Sequence, residues 1–271
     1  MPSPILIGAV AYDPKVITIW DIIKKYFQSQ NCPIDYVLYS TYEAMVDALV
    51  KGHIHIAWNS PLAWVETQQR TGGHCRAIAM RDTDCDRVSH LIVRRDSEIN
   101  RVEDLRGKTV ATGASDSPQA TLIPLHLLQM HGLVPGQDFT VRRFDVLVGK
   151  HGDHVGGELQ ALRSVQQGKS DACAVLDLNW QAWQGHGLAD PEQLKILAST
   201  PRYDHCNFTV LDTFPEEDER RWTKALFAMS YNNPEHRQMM DMEGLRAWLP
   251  GRTTGYRDLS QAVEEQGFLE K

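Results

Sequence analysis

Short apolar runs alternate along the chain with stretches whose apolar residues recur at helical spacing. "ILIGAVAY" is followed by "VITIWDIIKKYFQSQ", "IDYVLYS" by "TYEAMVDALVKG", and "HIHIAW" by "PLAWVETQQRTGG". Compact apolar runs suit buried strands, the i, i+3, i+4 spacing suits amphipathic helices, and their regular alternation predicts a largely parallel sheet. The rhythm then breaks. "CRAIAMRDTD" and "RVSHLIVRRDS" are two strand-like runs with no helical pattern between them, which predicts a crossing from one lobe to another. Alternation resumes from "INRVEDLRGKTVATG" through "FTVRRFDVL", the helical "GELQALRSVQQGKS" and "DACAVLD", and "LKILASTPRYDHCNFTVL" is expected to return the chain to the first lobe. From "PEEDERRWTKALFAMSYNNPEHRQMMDMEGLRAWL" onward the pattern is helical, with breaks at Pro234 and "PGRTTG". The expected architecture is α/β and two-lobed, with residues 1–90 and 205–271 in the first lobe and 91–204 in the second. Each lobe is expected to be a mostly parallel sheet flanked by helices, with a ligand cleft between the two, beyond the carboxyl ends of the strands.

Three strand-to-helix junctions carry polar residues suited to such a cleft. "YVLYSTYEAM" places Ser40 and Glu43 in a capping-box pattern with Thr41 alongside, "IAWNSPLAW" places Asn59 and Ser60 before Pro61, and "GASDSPQ" places Ser115 and Ser117 before Pro118 and Gln119. A serine N-cap followed by proline at the first helical position is a favoured helix start, and its unpaired amides attract anions. One capped helix implies no ligand; three in one chain point toward an anion site.

Composition narrows the classes. Among 271 residues there are 28 Lys and Arg against 35 Asp and Glu, a net charge of −7, with no basic stripe to engage nucleic acid. No apolar run is long enough for a membrane span, and the five cysteines, Cys32, Cys75, Cys85, Cys173 and Cys206, lack the spacing of a zinc ribbon or disulfide scaffold. "MPSPILIGAVAY" reads as a first strand, not as a signal peptide. Two locations stay open: periplasm or cell surface if a signal peptide has been removed, cytoplasm if Met1 is the native start. Unpaired cysteines suit the cytoplasm slightly better.

Three segments together resemble a known family. "LVKGHIHIAWNSPLAW", "VEDLRGKTVATG" and the Ser-rich turn leading to "LIP" are similar to the phosphate, phosphite and phosphonate substrate-binding proteins of ABC transporters. The resemblance implies a periplasmic-binding-protein fold that closes on a small anion, a transporter permease as partner, no cofactor and a monomer. The family's turn reads Ser-Thr-Ser-Gly, where this chain has Ser117, Pro118, Gln119 and Ala120. Two hydroxyl donors are absent, Ser115, Asp116 and Gln119 stand where they could compensate, and Asp116 beside an anion calls for a nearby cation or proton.

Other residues offer chemistry of their own. "GKHGDHVGGEL" supplies His151, Asp153, His154 and Glu158, a donor mixture suited to zinc, although Gly156 and Gly157 predict that the helix starts after them. The same loop also reads as solvated, or as holding the polar end of an organic ligand with His154 and Glu158. "PRYDHCNFTV" adds Asp204, His205 and Cys206, with Asp204 and Cys206 on one face of an extended strand. Asp177 ends an apolar strand, and Tyr12 and Trp58 either wall the cleft or pack in the core. Trp180 and Trp183 read as helix packing, and His53 and His55 as the polar face of a strand.

Three functions follow. The first is a substrate-binding protein for a small oxyanion or organophosphonate, held by Ser60, Ser115 and Ser117, with Glu158, Asp177 or Asp204 meeting any cationic end. The second is a cytosolic enzyme on the same fold using His154, Glu158, His205 and Cys206. The third is a metal-binding protein using the "HGDH" region.

Overall fold

A computed structural model describes residues 4–269. The chain forms two compact units: the first runs up to Cys85 and resumes over Asp204–Tyr256, and the second spans Asp86–Tyr203 and continues from Arg257. In chain order the first unit contributes β1 (Ile5–Val10), α1 (Lys15–Ser29), β2 (Ile34–Tyr39), α2 (Tyr42–Val50), β3 (Ile56–Asn59), α3 (Pro61–Thr71) and β4 (Cys75–Arg81). The second contributes β5 (Ser89–Arg94), β6 (Thr109–Thr112), α4 (Ile123–Met130), β7 (Thr140–Arg143), α5 (Gly156–Gln166), β8 (Ala172–Leu176), α6 (Asp177–Gly185) and β9 (Leu194–Ser199). The chain then re-enters the first unit with β10 (Asn207–Leu211), α7 (Glu216–Phe227), α8 (Pro234–Glu243) and β11 (Trp248–Pro250), and ends with α9 (Arg257–Glu265).

Both sheets are mixed, which corrects the expectation of mostly parallel ones. The first has the order β11-β4-β10-β3-β1-β2 and the second β7-β6-β8-β5-β9. β1 runs parallel to β2 and β3, and β6 parallel to β7 and β8, as β/α alternation requires. β10 is antiparallel to β3 and β4, β11 to β4, and β5 to β8 and β9. β5 and β10 enter their units without a preceding crossover helix, and only parallel neighbours need one. The run expected as one returning strand splits accordingly into β9 and β10.

Local pattern accounts for the elements that carry the junctions. α1 buries Val16, Ile19, Trp20, Ile23 and Phe27, one stripe at helical spacing, against an aromatic core in which Phe27 stacks on Trp222 at 5.6 Å and Phe208 meets Trp222 edge-on at 4.8 Å. In β5, Leu91 and Val93 face one apolar cluster with Leu125 and Leu128, while Ile92 faces the other with Leu162, Val175, Trp180 and Trp183. The tryptophan pair therefore packs in the core.

α9 belongs to the second unit, not to the first lobe expected for residues 205–271. Its apolar stripe, Leu259, Ala262 and Val263, is buried, Glu265 Oε2 lies 2.7 Å from His126 Nδ1 of α4, and Gln266 Nε2 donates to the Leu122 carbonyl at 3.0 Å. A short amphipathic helix at a chain end docks wherever its apolar stripe finds a partner, and its own pattern does not say where.

Candidate functional site

Pro124 shapes the most polar junction of the second unit. Ser117 caps the helix start, its Oγ accepting from Ala120 N at 3.2 Å. Proline at 124 has no N–H for the Ala120 carbonyl, and the expected α-helical start is instead a π-turn over Pro118–Leu122, with Leu122 N bonded to Ser117 O at 3.0 Å and Ile123 N to Pro118 O. The carbonyls thus released are taken by tertiary donors: Ser89 Oγ donates to Gln119 O at 2.6 Å and Gly113 N to Ala120 O at 3.1 Å. Thr121 Oγ1 donates to Ala114 O at 2.7 Å, tying the helix to the turn before it.

The histidine loop folds onto this turn. Asp116 Oδ2 accepts from Gly149 N at 2.6 Å and His151 N at 3.1 Å, Gln119 Nε2 donates to Gly152 O at 3.0 Å, and Ser115 N donates to Asp145 Oδ1 at 2.7 Å. Asp116 Oδ2 is thus met by backbone amides. Leu147, Gly149, His151 and Gly152 all take left-handed backbone angles to make this possible. At Gly152, with φ +79°, a Cβ would lie 2.3 Å from Ser117 Oγ and 2.6 Å from Gln119 Nε2, so only glycine allows the contact.

The four "HGDH" candidates differ in burial. His151 is buried, Asp153 and His154 are half-exposed, and His154 Nδ1 accepts from Gly156 N at 3.3 Å. Glu158 is buried, and its Oε1 accepts from Leu176 N at 2.8 Å and Asn179 Nδ2 at 3.1 Å, bracing α5 against β8 and α6. α5 starts at Gly156, not after the two glycines, because Gly157 passes the Phe144 carbonyl where a Cβ would lie at 2.4 Å. Asp177 opens α6, with Oδ2 3.3 Å from Arg87 Nη1. Four side-chain atoms near the carboxyl ends of β6 and β8, Thr112 Oγ1, Asp116 Oδ1, Gln119 Oε1 and Asp177 Oδ1, are shielded from solvent and have no hydrogen-bond partner in the protein. Buried polar atoms without a protein partner are satisfied by water or by a ligand.

In the first unit Ser60 caps α3 as expected, its Oγ accepting from Ala63 N at 3.1 Å with Pro61 following. α2 is capped by Thr41, whose Oγ1 accepts from Ala44 N at 3.3 Å; the helix starts one residue later than the Ser40 pattern implied, and Ser40 is exposed. Asn59 faces the interior, its Nδ2 donating to Thr67 Oγ1 at 3.2 Å and Thr209 Oγ1 at 2.8 Å. Both hydroxyls give their own hydrogens to Ala63 O and Asn207 Oδ1, which assigns the amide orientation. Tyr12 is half-buried with Lys15 Nζ 5.7 Å from its ring centre, and Trp58 packs on Phe208 at 4.4 Å.

Asp204 has its carboxylate gripped by Arg252, Nε to Oδ2 at 2.7 Å and Nη2 to Oδ1 at 2.5 Å. Residues 204–206 precede β10 and do not alternate as an extended strand would: His205 Nδ1 lies 3.1 Å from Cys206 Sγ. Burial pushes the Asp84 carboxyl upward, but the Arg81 guanidinium, bonded to both its oxygens at 2.8 Å, outweighs this and holds it well below the usual carboxylate range. Arg81 Nη1 also donates to Glu243 Oε2 at 2.9 Å, where burial nonetheless raises the Glu243 pKa. Sequence reasoning missed Arg81, Asp84, Thr112 and Arg252. Arg252 sits in a segment read only as a break, and nothing local pairs it with Asp204.

A family model described as the ABC transporter phosphonate periplasmic substrate-binding protein matches residues 9–256. The chain is 21% identical over 251 residues to the probable ABC transporter phosphite binding protein PhnD1 of Prochlorococcus marinus (strain MIT 9301), covering 88% of this chain and 80% of that one. The solved structure of that organism's PhnD1 in complex with methylphosphonate superposes with a TM-score of 0.72 at 17% identity, covering 98% of this chain and 99% of PhnD1. XAC2383 from Xanthomonas citri bound to ATP gives a TM-score of 0.75, also at 17% identity, over 97% and 98% of the two chains. At these identities the solved structures establish a shared fold.

Proposed function

Because the chain belongs to the periplasmic phosphonate substrate-binding proteins of ABC transporters, we propose that it captures a small phosphonate- or phosphite-class oxyanion bearing at least one hydrogen-bond donor and passes it to an ABC permease. Family membership makes it a substrate-binding protein, the leading expectation from sequence, in place of the enzyme and metal-loop alternatives. Among the described residues no helix is long and apolar enough to cross a membrane.

The observation that carries the ligand reading is the pair of buried, unpartnered atoms at the Ser117 junction, Asp116 Oδ1 and Gln119 Oε1. At the helix start Pro118 has no N–H and the Ala120, Thr121 and Leu122 amides bond Ser117, which leaves the Gln119 amide to face an anion. Asp116 Oδ1, Gln119 Oε1 and Asp177 Oδ1, by contrast, are acceptors, and Thr112 Oγ1 works either way. A ligand without hydrogens, such as sulfate, leaves the acceptors unmatched; a protonated oxyanion oxygen or an ammonium group supplies them.

A thermal-shift panel of phosphate, phosphite, sulfate, methylphosphonate and aminoalkylphosphonates tests this. A ligand at a hundredfold its Kd stabilises by about 2.7 kcal/mol, and each kcal/mol is worth about 2–4 °C in a chain of this size. Phosphite or phosphonates are expected to shift the transition and sulfate to leave it in place; equal shifts with sulfate would defeat the proposal. Gln119→Glu keeps the size, replaces the Nε2 donor to Gly152 O with an acceptor and adds a negative charge, and is expected to weaken anion binding at least about tenfold through like-charge repulsion.

A further inference from the structure

Outside the Ser117 junction, the described residues bring together three chemically different metal donors. One donor atom each from Asp84, His205 and Cys206 lies within 4.8 Å of the others. All three side chains are buried, at 1%, 9% and 2% exposure. His205 Nδ1 stands 3.1 Å from Cys206 Sγ and 3.6 Å from Asp84 Oδ1. Around tetrahedral zinc, bonds of about 2.0–2.3 Å separate neighbouring donors by about 3.3–3.6 Å, so the two spacings that involve His205 agree to within about 0.5 Å.

The surroundings suit a cation site. His205 N donates to Asp84 O at 2.8 Å and the Tyr256 hydroxyl to His205 O at 3.0 Å, which fixes the backbones that carry two of the donors. Arg81 holds the Asp84 carboxylate from behind with two hydrogen bonds, the outer contact that orients ligating carboxylates. His205 Nε2 is buried without a partner, and Nδ1 is the ring nitrogen that faces the other two donors.

We infer that Asp84, His205 and Cys206 bind a divalent transition-metal ion of the zinc class, with a fourth position for water or an anion. A mixed thiolate, imidazole and carboxylate set selects such an ion over magnesium or calcium, which prefer oxygen donors alone.

The test is a cobalt(II) titration of the full chain, without an affinity tag and with its thiols reduced. The expected result is a sulfur-to-cobalt charge-transfer band with strong visible absorption of tetrahedral type, saturating at one equivalent and bleached by zinc. Cys206→Ser should remove the band and Cys85→Ser leave it intact. His205→Ala should weaken binding at least about a hundredfold, since losing even a group behind a ligand costs about 10–100-fold. The wild-type spectrum decides the matter even if a variant fails to fold. Absence of the charge-transfer band in the wild type, or its survival in folded Cys206→Ser, would overturn the assignment.

Discussion

Alanine at position 152 is expected to lower the melting temperature and to weaken anion binding together. Gly152 has φ +79°, and an L side chain in the left-handed region costs about 1–2 kcal/mol. A Cβ there would also drive into Ser117 Oγ at 2.3 Å and Gln119 Nε2 at 2.6 Å. Ser117 caps the helix start and Gln119 pins the loop through Gly152 O, so relief of the clash moves the turn proposed to face the ligand. Gly136 supplies the control: its φ is +78° but no atom lies within 4 Å of a Cβ. Gly136→Ala should therefore show the conformational cost alone, about 2–8 °C at about 2–4 °C per kcal/mol, with unchanged ligand affinity. Calorimetric melts and titration with methylphosphonate on both variants make the comparison. Equal losses would show that the Gly152 contact contributes nothing.

Removing Arg252 is expected to have the largest effect on stability. Asp204 is 1% exposed and its carboxylate accepts two hydrogen bonds from Arg252, so Arg252→Ala leaves an anion in the interior without that guanidinium. Breaking one side of a buried pair costs about 3–5 kcal/mol, and the lower end applies because the Arg252 side chain is 39% exposed. Urea unfolding of Arg252→Ala should lose about 3 kcal/mol, and the double variant with Asp204→Asn should regain a substantial part, because the buried charge that Arg252 balances is then gone. A loss below about 1 kcal/mol would reduce the pair to the standing of a surface ion pair.

Much of the scaffold was legible along the chain, and so was the position of the main junction. Ser60 with Pro61 and Ser117 with Pro118 announce helix starts because capping is decided within three or four residues. The paired strand runs around residues 75–94 announce the crossing because periodicity is local. The errors have physical causes. The sheets are mixed because β5 and β10 choose antiparallel partners far away in sequence. The second proline, Pro124, was visible, but its consequence, a π-turn whose released carbonyls go to Ser89 and Gly113, depends on groups brought in by tertiary structure. The histidine loop offered metal donors, a solvated loop and a ligand contact as alternatives, because the way its left-handed residues fold it onto the Asp116 carboxylate depends on a partner more than 30 positions away.

The sequence by itself determined the β/α periodicity, the capped helix starts, the place where the chain passes between units and the family to which it belongs. All of these are written in residues a few positions apart, or in segments whose spacing is characteristic. Only the tertiary structure decided that Asp204 answers to Arg252, 48 positions away, that Asp84 meets His205 and Cys206, and that α9 closes the second unit. Those outcomes follow from burial: a carboxylate, an imidazole or an apolar stripe taken out of water must find a partner, and the fold determines which partners are within reach.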